Sequence, residues 1–118
     1  MLVKIIEPLI INTEEYERLF PGGKPGVGEM VKLVGTIRAI VEQILWDMFL
    51  EDANEALHCL TTLYEKKKNI RAEISLESGF YDKHFGSLIP EEREKELNEL
   101  IIRIAEALDD INWDLVLK

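Results

Sequence analysis

Between Thr36 and Ser78 the chain contains neither glycine nor proline. That gap excludes any turn whose left-handed backbone is left to glycine, and so long a stretch without breakers predicts helix through most of it. Punctuation gathers on either side, in Pro21-Gly22-Gly23-Lys24-Pro25-Gly26-Val27-Gly28 and again from Ser78 to Pro90. The expected main element is one helix over 29–69. Lys66, Lys67 and Lys68 suit the negative end of its dipole, and Asn69 follows as a left-handed cap. Forty residues at the helical rise would span about 60 Å, long for a chain of this size.

The apolar side chains of this element do not keep to one face. At about 100° per residue, Ile37, Ile40, Val41, Ile44 and Met48 share one face, while Phe49, Ala53, Ala56, Leu60 and Leu63 share another rotated by roughly 120°. A straight helix with one partner has no use for such a handover. The element is therefore expected to bend or break between Asp47 and Asn54, or to pack its halves against different surfaces, one of them a second copy of the chain.

Flanking signals complete the expected fold. Asn12 is placed to cap a short helix, with Glu15 three residues on to reach back to the cap's amide, and Pro21 stops that helix. Leu2 to Ile6 reads as extended coil packed on the rest. Ile70 to Glu77 alternates apolar and polar, a strand pattern that also fits a helical turn or two. Its one evident strand partner is Leu2 to Ile6, so helix is favoured there. Pro90 sits at a preferred first helical position with Glu91 and Glu92 behind it. Leu97, Leu100, Ile101, Ile104, Leu108, Ile111 and Leu115 then form one stripe. The expectation is a single all-α domain over 1–118, a bundle of three or four helices. It comprises an N-terminal arm, short helix and Gly/Pro loop at 1–28, a long bent or broken helix at 29–69, a short element and aromatic loop at 70–89, and a C-terminal helix at 90–117.

Composition narrows the function. With 14 Lys+Arg against 23 Asp+Glu, the net charge of −9 repels phosphate backbones and argues against general nucleic-acid binding. One cysteine makes no internal disulfide and no cysteine-based zinc site. The opening MLVKIIEPLII is broken by Lys4, Glu7 and Pro8, and Met30 to Leu50 carries Lys32, Arg38, Glu42 and Asp47. Neither a secretory signal nor a membrane span fits, and a soluble cytoplasmic protein is expected. Seventeen Glu beside a single Gln, Gln43, is a bias shared with hyperthermophile proteins.

Gly23 to Gly28 has the G-x-x-x-x-G half of a phosphate loop, but Glu29 and Met30 stand where Lys and Ser/Thr are needed, so the segment reads as a linker. Asp47, Glu51, Asn54 and His58 fall within an arc of roughly 60° on a helix, with Glu55 just outside. Glu51-Asp52-Ala53-Asn54-Glu55 and Glu106-Ala107-Leu108-Asp109 together resemble the paired E-E-x-x-E and E-x-x-D motifs of the all-α nucleotide pyrophosphohydrolases. That resemblance implies magnesium held by Glu51, Glu55, Glu106 and Asp109 from two antiparallel helices. The alternative is a solvated acidic face. Glu55-Ala56-Leu57-His58 is similar to one half of a ferritin-like di-iron site, which needs two such pairs directed into a bundle. Here His58 is expected opposite the apolar stripe.

Lys66 to Arg71 is the one basic cluster, and the helix dipole accounts for it. Cys59 reads as a small buried hydrophobe. The rings of Phe80, Tyr81 and Phe85 mark a partner surface if exposed and plug the end of the bundle if folded back. No catalytic residue is evident and no cofactor beyond the alternative magnesium is implied. The leading expectation is a small acidic helical assembly module that self-associates, as a homodimer or larger, and binds another protein. Ile37, Val41, Ile44, Trp46, Met48, Phe80, Tyr81 and Phe85 are its expected interface.

Overall fold

In the computed structural model, which describes residues 1–117, the chain runs β1 (Leu2–Ile6), β2 (Leu9–Ile11), α1 (Thr13–Leu19), α2 (Val27–Phe49), β3 (Leu57–Tyr64), β4 (Asn69–Glu77), α3 (Ser78–Tyr81), a π-helical turn (Asp82–Gly86), α4 (Pro90–Asp109) and α5 (Trp113–Leu117). The fold is mixed α/β, not the all-α bundle expected from the sequence. A four-stranded antiparallel sheet takes up the C-terminal half of the expected long helix and the N-terminal arm.

β4 is the hub of that sheet. β3 pairs along one side of it, from Leu57 opposite Leu76 to Tyr64 opposite Asn69. On the other side, β1 pairs with the end of β4 and β2 with its beginning. β1 and β2 together form one edge interrupted at Pro8, which lacks an N–H for a ladder but whose carbonyl accepts from the Ala72 amide at 3.2 Å. Residues 70–77, where helix was favoured, are a strand whose partners include the Leu2–Ile6 segment weighed for it, and Leu2 to Ile6 is itself a strand and not coil.

The missing glycines did not prevent the turns. Leu50 closes α2 in the left-handed region at φ 53°, its amide donating to the Trp46 carbonyl at 2.7 Å. Lys68 takes φ 50° in the turn between β3 and β4. Lys66 to Lys68 therefore belong to a hairpin and do not end a helix, while Asn69 begins β4. The chain does leave the helix inside Asp47–Asn54, but it goes on as a strand and not as a second helical half. α4 stops at Asp109, with α5 a separate short helix, so the expected helix over 90–117 is divided.

Two elements follow their local signals closely. The Asn12 side chain accepts from the Glu15 amide at 2.9 Å, and α1 ends ahead of Pro21. Pro90 and the acidic Glu91 and Glu92 open α4. Leu33, Ile37, Val41 and Leu45, spaced by four along α2, are fully buried, and join one core with Ile70, Ile74 and Leu76 of β4 and Leu100, Ile104 and Leu108 of α4. α2 touches β3, α4 and α5. The opposite face of the sheet, including His58, Leu60, Thr62 and Tyr64, meets solvent. The molecule measures 50 × 25 × 23 Å.

Candidate interaction surface

The carboxylates expected to hold magnesium are dispersed. Glu51 follows α2 and contacts Lys83 at 2.9 Å and His84 at 3.0 Å. The hydrogen bond from Lys83, then that from His84, holds its carboxyl below the usual carboxylate range. Glu55 is exposed in the turn before β3, and Glu106 and Asp109 are exposed near the end of α4. Asp109 lines a recess with Asn12, Glu15 and Trp113. Among the described residues no three His, Cys, Asp or Glu side chains converge into a group able to hold a metal ion. The Glu55–His58 pair is split between a turn and a strand, where His58 contacts Glu77 at 2.8 Å on the solvent face of the sheet. Glu29 accepts from the Gly26 amide at 3.1 Å, so the end of the glycine loop is capped by the chain's own carboxylate.

Of the residues expected at an interface, Ile37, Val41 and Phe85 are fully buried within one copy, and Phe80 nearly so. Phe49, Phe80, His84 and Phe85 interlock, with ring centroids 4.4–5.6 Å apart, and close the end of α2. Tyr81 packs on Phe85 at 5.3 Å. Ile44 and Met48 are half-buried against the core, and Trp46 is half-exposed.

The open apolar surface lies elsewhere. Val27 is 83% exposed and Val31 66%, and with Met30, Val34 and Gly35 they line a shallow recess of about 520 Å3 along the first half of α2. On a helical wheel Val27, Val31, Val34 and Arg38 fall within roughly 60° of one another. Arg38 fixes where that flank points. Its guanidinium donates to the Leu57 carbonyl at 2.9 Å and to both the backbone and side-chain oxygens of Asn54, and pairs with Glu42 at 2.8 Å. The valines thus share the side of α2 from which Arg38 reaches the outward carbonyl of Leu57, at the start of β3.

β3 is an edge strand of eight residues that, among the described residues, pairs only with β4. Unpaired backbone donors and acceptors on such an edge form a template for another strand. Burial pushes the Cys59 thiol up to about 11, so this residue sits on the edge as an uncharged side chain. Thr61 Oγ1 is buried and has no hydrogen-bond partner among the described residues. The alternation Leu57, Cys59, Thr61, Leu63 was the available signal for this edge. The i, i+4, i+7 spacing of Val27, Val31 and Val34 was the signal for the flank.

No helix among the described residues is long and apolar enough to cross a membrane. No protein family, no curated protein and no solved structure matches this chain.

Proposed function

We propose that the chain is a non-enzymatic protein-binding module whose working surface combines the edge of β3 with the apolar flank of α2. The observation that carries this reading is the adjacency of the two. Exposed valines supply area to be removed from water, and the neighbouring edge supplies directional hydrogen bonds, the two ingredients of recognition by strand addition. Isolated exposed apolar side chains need no explanation, but a contiguous patch beside an open edge does.

The test is the mass of the assembly in a native extract of cells expressing a tagged chain. The wild type is expected well above 13.6 kDa and a Val31→Asp/Val34→Asp variant at the mass of one copy. Wild type running as a single copy refutes the reading.

A further inference from the structure

We infer that the occupant of this surface is a second copy of the same chain, joined through antiparallel pairing of the two β3 edges with Thr61 on the two-fold axis; the inference rests on the protein-binding reading above. The parity of the strand comes first. The Glu77 amide donates to the Ala56 carbonyl at 2.8 Å, one step beyond the Leu57–Leu76 pair. Hydrogen-bonded pairs alternate along an antiparallel ladder, so His58, Leu60, Thr62 and Tyr64 point their backbone groups at β4. Leu57, Cys59, Thr61 and Leu63 point theirs at the open side. The Arg38 bond to the Leu57 carbonyl reports the same parity independently.

Leu57 is already satisfied, because its amide donates to the Ala53 carbonyl at 2.9 Å and its carbonyl accepts from Arg38. Cys59, Thr61 and Leu63 remain. A symmetric antiparallel pair must match faces, so its axis passes through a residue position. With the axis at Thr61, that residue opposes its own mate and Cys59 opposes the mate's Leu63, using the outward groups of all three. With the axis at Leu60, Leu57 would have to oppose Leu63, and Leu57 has nothing left to give. The Thr61 axis also sets two threonines side by side on the helix-facing side of the sheet. Paired threonines are a favourable cross-strand match.

The helix obeys the same axis. Lys24 pairs with Glu65 at 3.0 Å and Arg38 binds Leu57, so α2 runs antiparallel to β3. Val31 lies between Lys24 and Arg38 in the chain and Thr61 between Leu57 and Glu65, which places the middle of this flank of α2 near the middle of β3. One two-fold axis therefore sets Val31 against Val31 and Val27 against the mate's Gly35. A Cβ built on Gly35 meets nothing within 4 Å, leaving room for that valine. A foreign strand would have no reason to satisfy both the edge and the helix about one axis.

Sedimentation equilibrium of the purified chain at micromolar concentration is expected to give twice 13.6 kDa, and Val31→Asp, at a site already exposed, a single copy with unchanged circular dichroism. In a Cys59→Ser background, Thr61→Cys should cross-link to its mate under mild oxidation. Opposed Cα atoms in a hydrogen-bonded pair lie about 5.5 Å apart, within disulfide range. Leu60→Cys should not cross-link. Linkage through Leu60→Cys and not Thr61→Cys overturns the inference, as does a Val31→Asp chain that still dimerises. A purified wild type that stays a single copy while the extract assembly remains heavy also overturns it, and leaves the protein-binding reading standing.

Discussion

Leu50→Gly is expected to stabilise the protein. Leu50 holds φ 53° and ψ 34° at the end of α2 with its side chain 79% exposed, so truncation removes little buried surface. A side chain in the left-handed region costs roughly 1–2 kcal/mol. Glycine escapes that cost but gains unfolded-state freedom worth about 0.4–1 kcal/mol. The difference favours the variant by about 0.7 kcal/mol. For 118 residues the unfolding entropy is about 0.25 kcal/mol per degree, so Tm should rise by about 3 °C. The assay is thermal unfolding by circular dichroism at one fixed protein concentration, with Leu50→Ala as control. Alanine keeps the Cβ and hence the strain, and should show no such gain. If glycine lowers Tm, or alanine raises it as much, the strain argument is wrong.

Other outcomes rest on packing and charge. Leu100→Ala, at a fully buried site in the common core, should cost about 3 kcal/mol and lower Tm by roughly 10 °C. Glu51 has a folded pKa below its unfolded one. Its ionised form therefore stabilises the fold above the ordinary carboxylate range, and that contribution is lost as pH falls through the lowered value. Glu51→Gln should accordingly differ from wild type in Tm at neutral pH and converge with it in acid, whereas a gap that widens on acidification contradicts the assignment. With its thiol pushed up to about 11, Cys59 should label slowly with iodoacetamide in the native protein at neutral pH and quickly in denaturant. Equal rates in the two states would show that burial is not what controls it.

Local chemistry in the sequence is legible where a single residue type does a single job. Asn12 caps α1, Pro21 lies just beyond its end, and Pro90 opens α4. The hairpin is hidden for two physical reasons. Ala56, Leu60 and Leu63 satisfy a helical period while Leu57, Cys59, Thr61 and Leu63 satisfy an alternating one, and Cys59 and Thr61 are weak as apolar markers. Positive φ is expected of glycine, yet Leu50 and Lys68 adopt it. With β3 taken for helix, the second apolar stripe looks surplus, and Ile37 and Val41 look free for a partner. The sheet and α4 close over them instead. The flank at Val27, Val31 and Val34 is inconspicuous in the sequence because the segment before it reads as linker. It stands out only once Arg38 shows which way α2 is rotated.

The two rims of the sheet are unlike, and that difference sets how far stacking can proceed. On the β1–β2 side the ladder slips between Lys4 and Ile6 and again between Leu9 and Ile11, with a proline in the gap. Such a rim offers no regular row of amides for an incoming chain. Growth by strand addition is therefore confined to one flank, and in the proposed pairing a second copy on that flank would seal the structure. A pair built in the proposed way would present no further regular edge and would not run on into a fibre.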